Sequence, residues 1–268
     1  LKCLSLPTKN VYLYITIKNV YLYIVNLKSI LYMLFKQLFE NESSTYTYLI
    51  SCQEKQQAIL IDPVLETLDR DLSIIRKLNL KLTHAVDTHI HADHVTSASA
   101  LREILGCKVA GPANDNLTCR DINFENSDIL LIGNSVELEA IHTPGHTDTH
   151  FSYVINFGKE KFLFSGDALL INACGRTDFQ SGSSETLYNT IQDIFYKMPD
   201  YTKVFPAHDY NNNNFSTIRY QKKNNQLISS NVDLKKFILN MENLKLDKPK
   251  KIDIAVPRNM DCGVINQD

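Results

Sequence analysis

Four side chains that can bind a metal ion lie within six residues of one another, in the segment Thr88-His89-Ile90-His91-Ala92-Asp93-His94. The residues at 83–87 just before them are predicted to form a β-strand. Four such polar groups cannot all be buried without partners, because an unsatisfied buried polar group costs free energy. A surface loop rich in histidine is the simpler alternative. Imidazole binds iron, zinc, copper and nickel alike, so the segment predicts a metal site without identifying the metal.

Three further predicted strands each end close to a residue that can bind a metal. The segment His142-Thr143-Pro144-Gly145-His146 closes the first of them and presents its second histidine after a tight Pro-Gly turn. Phe164-Ser165-Gly166-Asp167 closes another, and Phe205-Pro206-Ala207-His208 closes the third. Because each polar residue follows an apolar strand, we expect His146, Asp167 and His208 to converge with the histidine cluster at one edge of a sheet.

Strands alternate with helices along most of the chain. Runs of β-branched, aromatic and apolar residues predict strands, at 45–51, 58–62, 83–87, 129–132, 136–141, 151–156, 162–164 and 202–205. Apolar residues near helical spacing predict helices, at 66–80, 98–105, 185–196 and 232–241, with loops after the last. Gly106 should end the second helix, and Ser183 or Ser184 should cap the third. No long linker divides residues 33–268, so we predict one α/β (α+β) domain of layered αββα type.

Residues 1–32 differ in composition from the rest of the chain. They contain the sequence KNVYLYI twice, at 9–15 and 18–24, and they carry lysines but no acidic residue. A membrane-spanning helix needs about 20 mostly apolar residues in a row, and Lys18, Asn19, Asn26 and Lys28 interrupt every such window. We hypothesise that residues 1–32 are a targeting leader or a mis-assigned extension, and that the folded domain begins near Met33.

Charge and cysteine content argue against two classes of protein. The chain has 28 basic and 30 acidic residues and a net charge of −2, whereas nucleic-acid binding depends on lysines and arginines that neutralise phosphates. The six cysteines are scattered without a CxxC pair, unlike the dense frameworks of small secreted domains. We therefore expect no nucleic-acid partner and a reducing, intracellular compartment.

Motifs outside the histidine cluster are more specific than the cluster itself. They are Ile61-Asp62-Pro63-Val64-Leu65-Glu66-Thr67, Gly166-Asp167-Ala168-Leu169-Leu170-Ile171, Cys174-Gly175-Arg176-Thr177-Asp178-Phe179-Gln180, Pro206-Ala207-His208-Asp209-Tyr210, and the segments at 38–49 and 252–264. Together they resemble the persulfide dioxygenase (sulfur dioxygenase) family, also called the ethylmalonic encephalopathy protein family. This family belongs to the metallo-β-lactamase superfamily, whose αββα sandwich carries its metals at one edge of the two sheets. The resemblance extends from about Met33 to Val264.

The resemblance implies a dioxygenase with one Fe(II) per chain. In that family two histidines and an aspartate hold the iron, and they correspond here to His89, His146 and Asp167. Such a set leaves coordination positions open for O₂ and substrate. The implied reaction is the oxidation of glutathione persulfide by O₂ to sulfite and glutathione, in sulfide catabolism. The family also suggests a homodimer, located in mitochondria in a eukaryote and otherwise in the cytoplasm.

Other residues are expected to support the iron and to bind substrate. Four of them would orient ligands and bound water around the iron: His91, Asp93, His94 and His208. Arg176 is expected to bind a carboxylate of glutathione, because its planar guanidinium matches that group, and Thr147 and Cys174 would line the same pocket. A surface salt bridge is the alternative for Arg176, and a packing role is the alternative for Cys174. The remaining histidines are expected to be structural, namely His84, His142 and His150.

The chain departs from the family pattern directly after His146. The family usually continues T-P-G-C, whereas this chain continues Thr147-Asp148-Thr149-His150. The difference could reshape the pocket wall or place an additional imidazole near the iron.

The main alternative is a dinuclear thioester hydrolase that resembles glyoxalase II, a hydroxyacylglutathione hydrolase. With Asp167 as a bridge, the side chains Asp93, His94 and His208 could hold a second zinc or iron ion. A metal-bound hydroxide would then attack the thioester. Against this alternative stand the segments 174–180 and 255–264, and the lack of an evident basic helical region after His208. A metal-binding module without enzymatic activity is a third hypothesis.

Overall fold

The computed structural model describes residues 13–17, 20–25 and 31–264, with side chains from Met33 onward. Within these residues the first of two sheets has eight strands, which lie side by side in chain order. They are β1 (Leu13–Ile17), β2 (Val20–Val25), β3 (Leu31–Phe39), β4 (Tyr46–Cys52), β5 (Gln57–Ile61), β6 (Lys81–Val86), β7 (Lys108–Pro112) and β8 (Ile122–Phe124). Neighbouring strands are antiparallel from β1 to β5 and parallel from β5 to β8.

The second sheet has six strands in the same described part of the chain. They are β9 (Ile129–Ile132), β10 (Val136–His142), β11 (Phe151–Phe157), β12 (Glu160–Gly166), β13 (Lys203–Pro206) and β14 (Ser216–Thr217). Their spatial order is β14-β13-β12-β11-β10-β9, and only the β12–β13 pair is parallel. Because β12 and β13 run in the same direction, the residues that follow them lie at the same edge of the sheet.

Apolar side chains, many of them aromatic, fill the space between the two sheets. Successive residues of a strand face opposite sides of a sheet, so Phe162 and Phe164 of β12 both face the other sheet. Phe35 of β3 meets Phe205 of β13 across this layer, with ring centroids 4.8 Å apart. Burial of one such side chain stabilises the fold by about 1.5–3 kcal/mol. This packed layer therefore holds the two sheets in a fixed relation.

Helices cover the outer face of each sheet. The helices α1 (Leu68–Lys77) and α2 (Ala98–Leu105) pack on the first sheet, and α3 (Ser184–Asn189), α4 (Ile218–Asn224) and α5 (Leu234–Glu242) pack on the second. The last helix, α6 (Ile252–Asn259), lies beside the start of α2. Among the described residues, no helix is both long enough and apolar enough to cross a bilayer. The predicted αββα sandwich is confirmed.

The strands and helices predicted from the sequence are found with small shifts at their ends. Gly106 ends α2 in the left-handed conformation, with φ at 67°. Ser183 is the N-cap of α3, where its side chain accepts a hydrogen bond from Thr186 N. The helix predicted at 185–196 is not one continuous α-helix, because a π-helical turn (Thr190–Ile194) and a 3₁₀ turn (Phe195–Lys197) follow α3.

The C-terminal part is more helical than the sequence predicted. Only loops were expected after residue 241, but α6 forms there, and α4 precedes α5. Pro257 inside α6 disfavours a helix, yet Ala255 and Asn259 of α6 are buried against the rest of the domain. These tertiary contacts outweigh the local preference. Three helices follow His208 among the described residues; that this region lacks a basic helical domain of the kind the hydrolase uses stays a prediction.

Two strands of the atypical N-terminal segment extend the first sheet. β2 pairs with β1 on one side and with β3 on the other. Residues 1–12, 18–19 and 26–30 lie outside the described residues. That residues 1–32 are a leader or an extension, and that the domain begins near Met33, stays a prediction.

A disulfide joins Cys119 to Cys262, which are 143 residues apart in the chain. Cys52, Cys107 and Cys174 are buried free thiols. The cysteine pattern suggested a reducing compartment, and this pair departs from the fully reduced chain that such a compartment favours. The spacing of the cysteines does not predict the pair, because the tertiary structure alone brings the loop after β7 to the end of α6.

Candidate metal centre

The predicted convergence of strand ends is observed. His89 follows β6, His146 lies in the turn after β10, Asp167 follows β12 and His208 follows β13. One ligand atom each from His89, His146 and Asp167 lies within 4.8 Å of the other two. Ala207 N donates a hydrogen bond to the carbonyl before Asp167 over 3.0 Å, which ties the ends of β12 and β13 together. The same edge of the sandwich therefore carries all four side chains.

Two glycines let the chain pass close to its neighbours beside the ligands. Gly145 has φ at 134°, and its Cα faces the backbone of Leu187 so closely that a Cβ would overlap it. Gly166 has φ at 53° and precedes Asp167, and a Cβ there would overlap the ring of His150. Glycine adopts positive φ without the steric cost of a side chain. Both turns therefore require glycine.

Hydrogen bonds to the protein orient both histidine rings of this set. Thr88 Oγ1 donates to Asp62 Oδ2 over 3.0 Å, so it accepts the hydrogen bond of His89 Nδ1 at 2.9 Å. His146 Nδ1 donates to the backbone carbonyl of Arg176 over 2.7 Å. In each ring Nε2 is therefore the nitrogen available to a metal. Burial, with neighbouring imidazoles, lowers the pKa of His89 well below its ordinary value, which keeps the ring neutral, as a metal ligand must be.

Asp167 is the third member of the ligand set, and three histidines contact it. Its Oδ2 lies 3.5 Å from His146 Nε2, and its Oδ1 lies 3.4 Å from His208 Nε2. Its backbone N–H donates to His150 Nε2 over 3.1 Å. Oδ1 is buried and makes no hydrogen bond to any described residue, which is costly unless a cation or another partner satisfies it. The donor set and this unsatisfied oxygen fit a metal ion held by two histidines and one carboxylate.

His91 faces a buried carboxylate and not this centre. Its Nε2 lies 3.1 Å from Asp62 Oδ1. Burial by itself would lower the pKa of His91, but the Asp62 carboxylate outweighs burial and raises that pKa to about 9 in the metal-free protein. Asp62 also accepts a hydrogen bond from Thr88 N over 2.7 Å. The resulting ion pair fixes the loop that carries His89.

The remaining polar side chains of the cluster bond to one another. Asp93 Oδ2 accepts from Thr45 Oγ1 over 3.2 Å and lies 2.9 Å from His94 Nδ1. His208 Nε2 lies 3.6 Å from the same Asp93 oxygen. Burial lowers the pKa of His208, but the carboxylates on either side outweigh burial and raise it above its ordinary value. One ligand atom each from His91, Asp93 and His94 lies within 4.8 Å of the others, and the same holds for Asp62, Asp87 and His91, so each of these groups is a candidate site for a second metal ion.

A cavity of about 490 Å³ opens onto the centre. His89, His146 and Asp167 line it. Much of the remaining lining is apolar and includes Leu170, Ile171, Leu227, Leu244 and Leu246. Cavities of this size bind small molecules, with a few polar groups to orient them. A molecule bound in the cavity would reach the open side of the ligand set.

Arg176 and Cys174 line this cavity, as predicted, but the guanidinium of Arg176 already binds other parts of the protein. Its Nε and Nη2 donate to the two carboxylate oxygens of Asp178, each over 2.7 Å. Its Nη1 donates to the backbone carbonyl of Asp247 over 2.7 Å, and the group lies 4.5 Å from the ring centroid of Phe179. The guanidinium that was expected to bind a substrate carboxylate therefore binds Asp178 in this structure.

Thr147 lies outside the 490 Å³ cavity, which corrects the prediction that it lines the same pocket as Arg176. It borders a separate cavity of about 230 Å³, next to Asp148 and Thr149. The difference arises because neighbouring residues of the turn after His146 face opposite sides, which the motif alone does not reveal.

Cys174 is a packing residue in this structure. Its Sγ is buried and lies 3.7 Å from Met241 Sδ. Burial raises the pKa of the thiol to about 12. A protonated thiol is a weak nucleophile, so Cys174 contributes to the shape of the cavity wall.

Several residues that shape the site were not predicted. Asp62 and Thr88 orient the histidines, as described above. Gln180 borders both cavities, and its Nε2 donates to the backbone carbonyl of Ile90 over 2.7 Å. The ring of Tyr210 borders the cavity and lies nearly parallel to the ring of His208, at 8°. Asp62, Gln180 and Tyr210 stand in motifs that the sequence singles out, but a motif does not say which atoms face the site.

The three histidines expected to be structural occupy different surroundings. His84 bonds to Thr83 Oγ1 over 3.0 Å, and His142 bonds to a backbone carbonyl of the turn after β10 over 3.1 Å. His150 is fully buried, and its ring centroid lies 5.0 Å from that of His89. Its Nε2 accepts the backbone hydrogen bond of Asp167. The imidazole that departs from the family pattern is thus next to the centre and supports one of its ligands.

Comparison with known proteins agrees with this geometry. Residues 41–208 match the family model of the metallo-beta-lactamase superfamily. The chain is 42% identical over 233 residues to the protein named persulfide dioxygenase ETHE1, mitochondrial, of Mus musculus, with 87% of this chain and 89% of that protein aligned. The crystal structure of ETHE1 from Myxococcus xanthus matches with a TM-score of 0.81 and 43% identity, over 86% of this chain and 99% of the other.

A hydroxyacylglutathione hydrolase of a Polaromonas species is more distant, with 32% identity over 176 residues and 65% of each chain aligned. The named persulfide dioxygenase of Mus musculus is thus matched at higher identity and over more of its length than the hydrolase, and the superfamily model spans the segments that carry His89, His146 and Asp167. The chain is an oxidoreductase that belongs to the persulfide dioxygenase family of the metallo-β-lactamase superfamily.

Proposed function

We propose that this enzyme oxidises glutathione persulfide with O₂ to sulfite and glutathione, with a single Fe(II) held by His89, His146 and Asp167. The observation that carries the proposal is the set of three donors that line the 490 Å³ cavity. Two histidines and one carboxylate are the ligand set of many non-haem Fe(II) oxygenases, and they leave positions open for two reactants. The 42% identity to a named persulfide dioxygenase supports the same reaction.

Fe(II) held there would supply electrons to O₂ beside the persulfide sulfur, which redox-inactive zinc cannot do. In the overall reaction the bond between the two sulfur atoms of the persulfide breaks. The outer sulfur loses four electrons to one O₂, and O₂ with one water supplies the three oxygens of sulfite. The inner sulfur leaves as the thiol of glutathione, and two protons are released. The cavity must therefore admit a tripeptide, O₂ and water together.

The residues of the chain would bind, orient and shield the reactants. The neutral ring of His89 and the ring of His146 present Nε2, because their Nδ1 atoms are bonded to the protein. The apolar wall formed by the five Leu and Ile side chains would exclude bulk water from the reacting sulfur. Exclusion of water strengthens electrostatic interactions within a site. These features favour a reaction between bound molecules over hydrolysis.

Arg176 would bind glutathione by exchanging its partner. Glutathione carries two carboxylates and one ammonium group, and Arg176 is a cation at the cavity wall. A carboxylate of the substrate would replace the carboxylate of Asp178 on the guanidinium. The backbone carbonyl of Asp247, which now accepts from Arg176, would then be free to accept the ammonium group.

A dinuclear thioester hydrolase is the second candidate, because His91, Asp93 and His94 bring ligand atoms together beside the first set. In this structure, however, His91 Nε2 pairs with Asp62, and Asp93 binds His94 and a threonine. A second ion would have to displace these contacts. The lower sequence identity to the named hydrolase also favours the dioxygenase over the hydrolase.

The test combines metal content with two activities. The full chain would be prepared anaerobically, its metal measured by elemental analysis, and O₂ uptake followed with glutathione persulfide. About one iron per chain and O₂ uptake that is lost in His89→Ala and Asp167→Ala would support the proposal. His84→Gln is the matched control, because it removes a histidine outside the centre. Two metal ions per chain, no O₂ uptake and cleavage of an S-acylglutathione would contradict it and favour the hydrolase.

The assembly and location of the protein are part of the proposal. By resemblance to the family we propose a homodimer, which light scattering of the purified chain would test; a monomer at micromolar concentration would contradict it. We propose mitochondria if the source is a eukaryote, because the matched relative from Mus musculus is named as mitochondrial. Cell fractionation followed by detection of the protein would test the location.

A further inference from the structure

The side-chain amide of Asn259, at the end of α6, contacts the loop that carries the histidine cluster. Its Nδ2 donates to the backbone carbonyls of His91 and His94, over 2.9 and 2.8 Å. Its Oδ1 accepts a hydrogen bond from Thr96 N over 2.9 Å. The side chain is 4% exposed. One amide, more than 160 residues away in the chain, thus binds three backbone groups of the cluster loop.

These backbone groups need a partner from outside the loop. Residues 87–97 between β6 and α2 form neither helix nor strand, and apart from one bridge between Thr96 and Val64 they pair with no strand, so no ladder of backbone hydrogen bonds satisfies the carbonyls of His91 and His94. A buried carbonyl or N–H without a partner costs free energy. Asparagine offers two donors and one acceptor in a single planar group, which matches two carbonyls and one N–H. The amide therefore restricts the loop from His91 to Thr96 to one conformation.

The segment that carries Asn259 is itself fixed to the domain. Cys262 forms the disulfide with Cys119, and its backbone carbonyl accepts a hydrogen bond from Ser99 N over 3.1 Å. Gly263, with φ at 75°, lies directly against Thr96. The chain directly after Asn259 is thus anchored to the domain at two neighbouring residues, Cys262 and Gly263. A rigid anchor lets the amide set the position of the loop.

We propose that Asn259 is a positioning residue of the metal centre, which acts through the backbone of the cluster loop to hold His89 in the geometry that binds the metal. His89 lies near the start of this loop, and Asn259 is bonded to the loop two residues later, so a shift of the His91 carbonyl would move the ring of His89. The proposal rests on the metal site alone and is independent of the reaction that the site performs. A failure of the dioxygenase assay would leave it standing.

The test compares metal binding in Asn259→Leu with a variant of matched position in the same helix. Leucine keeps the branched shape of asparagine but removes all three hydrogen bonds. The control is Ala255→Gly, because it weakens α6 through the low helix propensity of glycine and leaves the bonds to the loop intact. Co²⁺ is the probe: its affinity is measured by competition with a chelator, and its visible absorption reports the geometry of the ligands. Urea unfolding of the metal-free proteins is measured in parallel.

We expect Asn259→Leu to weaken Co²⁺ binding by about tenfold or more, as is common when groups that orient metal ligands are lost, and to change the visible spectrum of bound Co²⁺. Ala255→Gly should keep the affinity within about twofold and leave the spectrum unchanged. Wild-type affinity and spectrum in Asn259→Leu would overturn the proposal, and so would an equal loss of affinity in the control. If Asn259→Leu does not fold, Asn259→Ser is measured under the same criteria, because its short hydroxyl cannot reach both carbonyls. Failure of both variants to fold would overturn the proposal in favour of a purely structural role.

Discussion

Replacement of Thr88 by valine should weaken both the fold and the metal site. The side chain of Thr88 is fully buried. Its hydroxyl donates to the carboxylate of Asp62 and accepts from His89 Nδ1, over 3.0 and 2.9 Å. Valine has the same shape without the hydroxyl, so the change removes both hydrogen bonds and creates no cavity. His89 then loses the contact that directs Nε2 toward the metal.

The magnitude follows from the two lost contacts. A hydrogen bond to a charged group contributes about 1.5–3 kcal/mol, and a buried donor left without a partner costs about 1–3 kcal/mol. The free energy of unfolding should therefore fall by about 2.5–6 kcal/mol, a large part of the total of about 5–15 kcal/mol that is typical of a domain. Loss of the group that orients a metal-binding histidine should also weaken metal affinity by about 10–100-fold.

Thr47→Val is the matched control, because it removes another fully buried threonine hydroxyl. Thr47 Oγ1 donates to the backbone carbonyl of Asp62 over 2.8 Å and does not touch a ligand. The Thr47→Val variant should lose about 1 kcal/mol of its free energy of unfolding. It should bind metal as tightly as the wild type does. Urea unfolding of the metal-free proteins and chelator competition measure the two effects. If Thr88→Val loses no more stability than Thr47→Val and binds metal equally well, the inferred chain of hydrogen bonds from Asp62 to His89 is refuted.

Three further predictions concern the disulfide, a buried histidine and the cavity wall. Cys262→Ser should lower the free energy of unfolding by about 2–5 kcal/mol, because the disulfide with Cys119 closes a loop of 143 residues; urea unfolding without a measurable loss would contradict this. Burial lowers the pKa of His84 from 6.5 to about 4, so the unfolded chain binds more protons than the folded chain between these values. The free energy of unfolding should therefore fall as the pH drops from 6.5 to 4. It should fall less in His84→Gln than in the wild type over that range. Equal falls in the two proteins, measured by urea unfolding, would contradict this prediction. Arg176→Ala should raise KM for glutathione persulfide by about tenfold or more, whereas Asp178→Asn, which weakens the competing ion pair, should lower KM or leave it unchanged. An unaltered KM in Arg176→Ala would show that Arg176 does not bind the substrate.

The convergence of His89, His146 and Asp167 was predictable because each follows a strand, Asp167 directly and the two histidines after a short turn. The strand before Asp167 carries a run of buried apolar residues, and the strand before His89 ends in the buried pair Ala85 and Val86, so both strand ends lie at an edge of the sheets. The glycine before Asp167 likewise indicated that the backbone passes close to a neighbouring group, which is the ring of His150. What the pattern could not predict is the direction of a side chain within a turn. Thr147, next to a ligand, therefore faces a different cavity from the one expected.

The sequence by itself determined the alternation of strands and helices, the αββα class and the residues that gather at one edge, because these depend on local periodicity and on the order of apolar and polar residues. Contacts between distant segments decided the rest. The bond from Arg176 to the backbone carbonyl of Asp247, the disulfide from Cys119 to Cys262 and the bonds from Asn259 to the cluster loop all depend on which segments the fold brings together. Local preference even opposed α6, where Pro257 disfavours a helix. Tertiary contacts decided these features because the partners of a buried polar group are set by its surroundings in space and not by its neighbours in the chain.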